Sequence, residues 1–361
     1  MSGRPPNAPA RAGAAGLIAL LAALAAATLC ACTRSGNGGA PGPGGAAGEH
    51  LAVLVRGGGP DPDSLDPQKV RGFEAQGIVR DLCEGLTTLD HRAAVAPGAA
   101  SSWSVSADGR VYTFRLRRDA RWSNGERVVA ADFVAALRRL VDPATGSAYA
   151  GYVDVIANAS DIVAGRKPPE TLGVAAPDEA TVIITLATPA AYLPALLSHP
   201  STCPLYRPML RERPQGLARP GVMVSDGAFR LAEWVQGSYV LLTRNRWYWN
   251  DAATRLDAVK YLIIPDENAE LARYRGGELE VTASVPRGQF DWIRAHLAGE
   301  LHVSPQLTTY YYGFNLRRPP FRDRPGLRRA LSLVIDREKL AQLVLRVGEL
   351  PAYGWVPPGI D

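Results

Sequence analysis

Signatures of catalysis and of metal binding are what the 361-residue sequence most clearly lacks. Its five histidines, His50, His91, His199, His296 and His302, include no pair at His-x-x-x-His spacing, and no Cys-x-x-Cys follows residue 32. The usual zinc ligand sets are therefore missing and no metal is expected. No G-x-S-x-G elbow, Walker loop or His-Glu-x-x-His occurs, which removes the common supports of a hydrolase or a nucleoside triphosphatase. A glycosidase needs only two converging carboxylates, and 35 acidic residues leave that arrangement open. The balance favours binding over catalysis, with no catalytic residue and no cofactor to name.

Cysteine is also scarce. Of four, Cys30 and Cys32 lie in the N-terminal leader, which leaves Cys83 and Cys203 in the globular part. Two isolated cysteines either pair in an oxidising compartment or stay as buried thiols, and spacing alone leaves both open. Charge of one sign is not in large excess: 40 basic against 35 acidic residues, spread along the chain, give +5. A mildly basic solvated surface follows, and no nucleic-acid footprint, which would need clustered Lys/Arg interleaved with aromatics. The tempting cluster, Arg115, Arg117, Arg118 and Arg121, begins on alternating strand positions and is expected to face solvent. With 47% hydrophobic residues the chain can bury a sizeable core and form more than one domain.

What is present begins at the N-terminus. Arg4 and Arg11 precede the apolar run GLIALLAALAAATL, residues 16–29, which is short for a bilayer span and suits the core of a secretory signal. It ends in Leu29-Cys30-Ala31-Cys32, which resembles the lipobox of bacterial lipoproteins, with Leu at −3 and Ala at −1 of an acylated Cys32. An ordinary signal peptide cut nearby is the alternative. Residues 33–50, TRSGNGGAPGPGGAAGEH, cannot build a core and read as a flexible tether; their Gly42-x-Gly44 follows no strand and carries no weight as a nucleotide loop. The folded part is thus expected outside the cytoplasm, lipid-anchored at a membrane.

The globular part mixes strands and helices without a βαβ rhythm, an α/β assembly built from discontinuous pieces. Strands are predicted over 51–55, 112–117, 181–186, 258–264 and 307–315, with a hairpin over 229–234 and 239–243. Helices are predicted over 74–86, from 131 to Asp142-Pro143, over 190–197, 267–275 and 326–347. In YTFRLRRDARWSNGE, residues 112–126, Tyr112, Phe114 and Leu116 share one face and Ser123-Asn124-Gly125 supplies the turn. Trp122, Tyr112 and Phe114 read as core.

That stretch belongs to ADGRVYTFRLRRDARWSNGERVVAADFVAALRRLVDP, which resembles the signature region of the family 5 extracellular solute-binding proteins of peptide ABC importers. SLDPQKVRGFEAQGIVRDLCEGLTTLD, Ala148-Tyr149-Ala150, SDGAFRLAEWVQGSYVLLTRNRWYWN, RYRGGELE, and TTYYYGFNLRRPPFRD with LRRALSLVIDREKL resemble further family blocks, in family order across 51–361. SLDPQK, RDLCEGL, LSHPSTCPL and LPAYGWVPPG are closest to the oligopeptide-binding branch.

The resemblance implies a bilobal, periplasmic-binding-protein-like type II fold. Lobe I would comprise 51–83 and 203–307, an inserted subdomain 84–202, and lobe II would begin at 308 and be incomplete at 361, as in a truncated or partial chain. Cys83 and Cys203 would fall at the two crossings between lobe I and its insert, which makes a disulfide more plausible. The family holds an extended oligopeptide by main-chain pairing and delivers it to ABC permease subunits, acting as a monomer. Matching ligand positions are Arg71, Phe73, Tyr149, Ser284, Val285 and Tyr311; Tyr149 and Tyr311 read equally as packing aromatics. Arg71 and Gly313 stand where well-known members carry acids, so the pocket is expected to be less negative and more tolerant of acidic side chains. Relatives that bind nickel complexes, sugars or heme, a secreted hydrolase, and an inactive remnant are the competing readings.

Overall fold

The computed structural model describes residues 51–213, 215–304, 306 and 308–357. The leader, the Cys32 lipidation signal and the tether lie outside the described residues. Among the described residues no helix is long and apolar enough to cross a membrane.

In chain order the strands are β1 (Val53–Gly57), β2 (Thr87–Leu89), β3 (Val95–Pro97), β4 (Ala100–Val105), β5 (Val111–Leu116), β6 (Val174–Asp178), β7 (Thr181–Thr185), β8 (Phe229–Val235), β9 (Tyr239–Arg244) and β10 (Ala258–Leu262). The α-helices used below are α1 (Phe73–Leu82), α2 (Ala130–Val141), α3 (Ala159–Val163), α4 (Leu193–Leu196), α5 (Arg207–Glu212), α6 (Glu267–Arg275), α7 (Phe290–His296) and α8 (Pro325–Val334).

Two four-stranded sheets organise the chain. The first has the order β1-β10-β9-β8, with β1 parallel to β10 and the other pairs antiparallel. Phe229 and Leu231, Val240 and Leu242, and Val259 and Tyr261 alternate inward along its strands and meet Ile78, Val79 and Leu82 of α1. The second sheet, β4-β5-β7-β6, is antiparallel throughout and packs Tyr112, Phe114 and Leu116 against Phe133, Leu137 and Leu140 of α2. Trp122 is 1% exposed there. Its indole N–H donates to Asp132 Oδ2 at 3.2 Å, so its one polar atom is satisfied as it is buried. Gly125, at φ 88°, closes the turn that the Ser-Asn-Gly sequence specifies.

The chain crosses between the two sheets twice, at Cys83 and Cys203, and a disulfide joins these residues with Cα atoms 6.0 Å apart. Glu84, beside the bond, accepts from Tyr248 Oη at 2.7 Å and Trp249 Nε1 at 2.5 Å. Gly227 lies so close to the end of α1 that a Cβ there would come within 2.7 Å of Cys83 N. This tight crossing ends α1 at Leu82, four residues before the predicted end, because Cys83 turns to extended backbone. The second tie is ionic: Arg139 of α2 and Asp66 pair at 2.7 Å, both largely buried.

Other expectations are corrected. The basic face of residues 115–121 does not simply face solvent. The guanidinium of Arg117 stacks on Trp249 at 3.6 Å and donates to Gly98 O at 2.7 Å, and Arg121 lies over Trp247; cation–π contact and apolar stem burial draw both inward. The aromatic segment at 308–315 forms no strand, since no neighbour pairs with it among the described residues. The helix predicted over 326–347 breaks after Val334, where Asp336 starts a new turn by accepting from Lys339 N at 3.0 Å. The helix predicted over 190–197 shrinks to α4, Leu193–Leu196.

Candidate functional site

β1 runs parallel to β10, and on its other side Arg56 bridges Val281 in parallel register. Its carboxyl end therefore opens between two parallel neighbours, the crevice where open α/β sheets receive ligands. Gly57, Gly58 and Gly59 follow, and their lack of side chains is a packing requirement. A Cβ on Gly57 would overlap Glu270 Oε1, and one on Gly59, already at φ 65°, would come within 2.9 Å of Glu74 Cγ.

The Gly57 side of this turn holds Ser284 and Val285. Gly57 N donates to Val281 O at 2.8 Å, which lays the 281–285 segment along the strand end. Glu270 of α6 is 1% exposed and accepts from Ala283 N at 2.9 Å. Burial raises its pKa, while the amides of Ala283 and Ser284 oppose the shift by stabilising the carboxylate. Ser284 Oγ donates to Glu267 Oε1 at 3.0 Å. Ser284 and Val285 are thus held at fixed positions, half-exposed.

The Gly59 side holds Arg71, Phe73 and Tyr149. Gly72 caps α1 with extended backbone and no side-chain bond, which leaves Phe73 as the first helical residue, 76% exposed. Tyr149 comes from the second sheet's layer and reaches across. Its hydroxyl donates to Arg71 O at 3.4 Å and accepts from Gln76 Nε2. Its ring meets His199 at 4.7 Å, and Tyr152 meets the same imidazole at 4.8 Å. Burial, helped by the Arg80 charge, lowers the His199 pKa to about 4, so this imidazole is neutral at neutral pH. The Arg71 side chain is exposed and has no carboxylate partner among the described residues.

Of the six expected positions, Ser284 and Val285 continue the segment that Val281 and Ala283 tie to Gly57 and Glu270, and Arg71, Phe73 and Tyr149 gather at the start of α1, whose Glu74 packs on Gly59. The sixth, Tyr311, stacks on Trp355 at 4.3 Å and is 59% exposed, within the 308–357 part of the chain. Sequence reasoning passed over Glu267, Glu270, Gln76 and His199, which position the rim without facing it as obvious ligands. A cavity of about 540 Å³ lined by Tyr274, Arg275, Leu279, Glu280, Leu297 and Glu300 contains none of the six. The arrangement offers main-chain groups, a hydroxyl and aromatic walls. Among the described residues no cluster of three or more His, Cys, Asp or Glu could hold a metal ion.

A family model for bacterial extracellular solute-binding proteins, family 5, matches residues 94–361. The periplasmic oligopeptide-binding protein OppA of Escherichia coli K12 is 42% identical over 312 residues, covering 86% of this chain and 57% of that protein. The solved structure of Burkholderia pseudomallei OppA superposes with a TM-score of 0.82 at 36% identity, covering 86% of this chain and 61% of that one. Haemophilus influenzae OppA in complex with RPPGFSPFR gives the same TM-score, 0.82, at 36% identity and with the same two coverages. The chain spans less than two thirds of the length of these relatives.

Proposed function

The chain belongs to the bacterial extracellular solute-binding proteins of family 5, and from that premise we propose that it is the substrate-binding component of an ABC importer, taking oligopeptides in extended form. On this reading 51–83 and 203–307 make lobe I, 84–202 its inserted subdomain, and residues from 308 onward belong to lobe II. The observation that carries the proposal is the glycine turn at the carboxyl end of β1, bordered by Phe73 and Tyr149 on one side and Ser284 and Val285 on the other.

An extended peptide laid there pairs its main chain with the protein's backbone while its side chains lie in hydrated space between aromatic walls. Phe73, Ser284 and Val285 act through their backbone. Tyr149 buttresses the Arg71 carbonyl, and Tyr311 contributes from the facing lobe. Closure of the lobes over the peptide then produces the form that docks on a membrane permease. The chain works outside the cytoplasm as a monomer, held to the membrane through Cys32. Its relatives are named as binding proteins, and we assign it no catalytic role.

Calorimetry with a peptide library tests the proposal. Saturable one-to-one binding, weakened by Tyr149→Ala, is expected; silence across all peptides from a folded protein refutes it.

A further inference from the structure

A tyrosine hydroxyl has one hydrogen to give and lone pairs that receive, so its neighbours decide what it offers a ligand. Tyr149 has two polar neighbours at its hydroxyl, both at the start of α1. It accepts from Gln76 Nε2 and donates to Arg71 O at 3.4 Å. With the Gln76 amide on the receiving side of the oxygen, the hydrogen is committed to the Arg71 side. Ordinary O–H···O bonds run about 2.5–3.0 Å, so the bond to Arg71 is long and weak. A donor and an acceptor thus hold each other loosely beside Phe73.

The surrounding structure fixes all three groups. Gln76 N donates to Gly72 O at 3.0 Å in the first turn of α1, and the flanking Ala75 and Ile78 are buried. Tyr149 N donates to Ser147 Oγ at 3.1 Å, and the Tyr149 ring meets His199 at 4.7 Å. His199 is held in turn, because Ser201 and Thr202 after it are buried and Cys203 is bonded to Cys83 at the far end of α1. Tyr149 therefore meets α1 directly at its first turn and, through His199 and Cys203, at its last.

We infer that Gln76 is a positioning residue that makes the Tyr149 hydroxyl a donor toward the ligand. On binding, the hydroxyl exchanges the Arg71 carbonyl for a main-chain carbonyl of the ligand, and the Arg71 carbonyl is released to accept a ligand N–H. This rests on the peptide reading and deepens it, since an extended peptide offers both a carbonyl and an N–H along one edge. The polarity is set by the amide of Gln76, not by the tyrosine itself.

The test is calorimetry at about pH 7.5 and about pH 4.5 with the tightest-binding member of a library of tri- to pentapeptides whose side chains are all uncharged. Gln76→Glu places a carboxylate, which only accepts, against the hydroxyl at pH 7.5 and turns its hydrogen away from the ligand. Affinity should fall about tenfold relative to wild type at that pH. At pH 4.5 a glutamic acid with an ordinary pKa near 4.3 is roughly two fifths protonated and donates as the amide does, so the deficit should shrink to about twofold. Each comparison is made at one pH, and wild type and variant share His199, so its titration cancels. Gln76→Met, which neither donates nor directs, should lose about threefold at both pH values. In a Tyr149→Phe background Gln76→Glu should have no further effect. Circular dichroism confirms that each variant is folded. Equal affinity of Gln76→Glu and wild type at pH 7.5 overturns the inference, as does a deficit that is the same at both pH values or that persists in Tyr149→Phe. A folded wild type that binds none of these peptides refutes the peptide reading itself, and the inference falls with it.

Discussion

Replacing Cys83 and Cys203 together by alanine should lower the stability of the protein substantially, and the size of the loss follows from loop length. The bond spans 120 residues, and closing such a loop in the unfolded chain removes entropy equivalent to about 5 kcal/mol. The folded state changes little, because Gly227 still packs on Cys83 N, Glu84 still receives Tyr248 and Trp249, and Arg139 still pairs with Asp66. Both sulfurs are buried, at 6% and 2% exposure, so the small voids left behind add about 1 kcal/mol. Urea unfolding followed by tryptophan fluorescence, with Trp249 and Trp122 on either side of the crossing, measures the difference. With a slope near 3 kcal/mol/M, the midpoint should fall by about 1.5 to 2 M. A change below about 0.5 kcal/mol would refute the reasoning, as would free-thiol titration of both cysteines in the native protein under non-reducing conditions.

Three further outcomes follow from the charges. Asp226 is buried, its Oδ2 has no hydrogen-bond partner among the described residues, and burial with Glu84 nearby raises its pKa well above 3.8. The folded state then keeps a proton that the unfolded state has lost, so stability falls as pH rises above about 4; Asp226→Asn should be more stable than wild type at pH 8, with the gap closing toward pH 4. The gain is about 1.4 kcal/mol for each unit by which the pKa is raised, and equal midpoints at pH 8 would contradict it. His199 has the opposite sign: its lowered pKa, about 4, means that stability is lost as pH falls from about 6.5 toward 4, and His199→Phe should flatten that limb in a pH series of melting temperatures. Arg71→Glu should weaken acidic peptides relative to lysine-rich ones by up to about fivefold in calorimetry, and wild-type binding that is equal or better for lysine-rich peptides would remove the idea of a less negative pocket.

The elements that sequence reading recovered are those whose partners lie nearby in the chain or whose pattern is strict. The 229–243 hairpin, α2 and α6 appear where periodicity and capping residues put them. What it misread depends on distant neighbours. Arg117 looks like an exposed strand residue until Trp249, 132 positions away, covers it. The 308–315 alternation implies a strand only if another segment pairs with it, and local sequence carries no information on that. The six expected ligand positions were nameable only through family blocks. Glu270 as the group that fixes Ala283 and Ser284 was not legible, because a glutamate on a predominantly polar helix ordinarily faces water.

The central claim is that an extended peptide binds at the glycine turn after β1. Calorimetric titration of the purified full-length protein with a library of short peptides, repeated on Gly57→Ala, tests it most directly. A Cβ at Gly57 would displace Glu270 and the 283–285 segment it holds, so the account predicts saturable binding in the wild type and a loss of at least about tenfold in the variant at unchanged secondary structure. Peptide affinity that survives this substitution would place the ligand elsewhere, and a folded wild type that binds no peptide would contradict the account altogether.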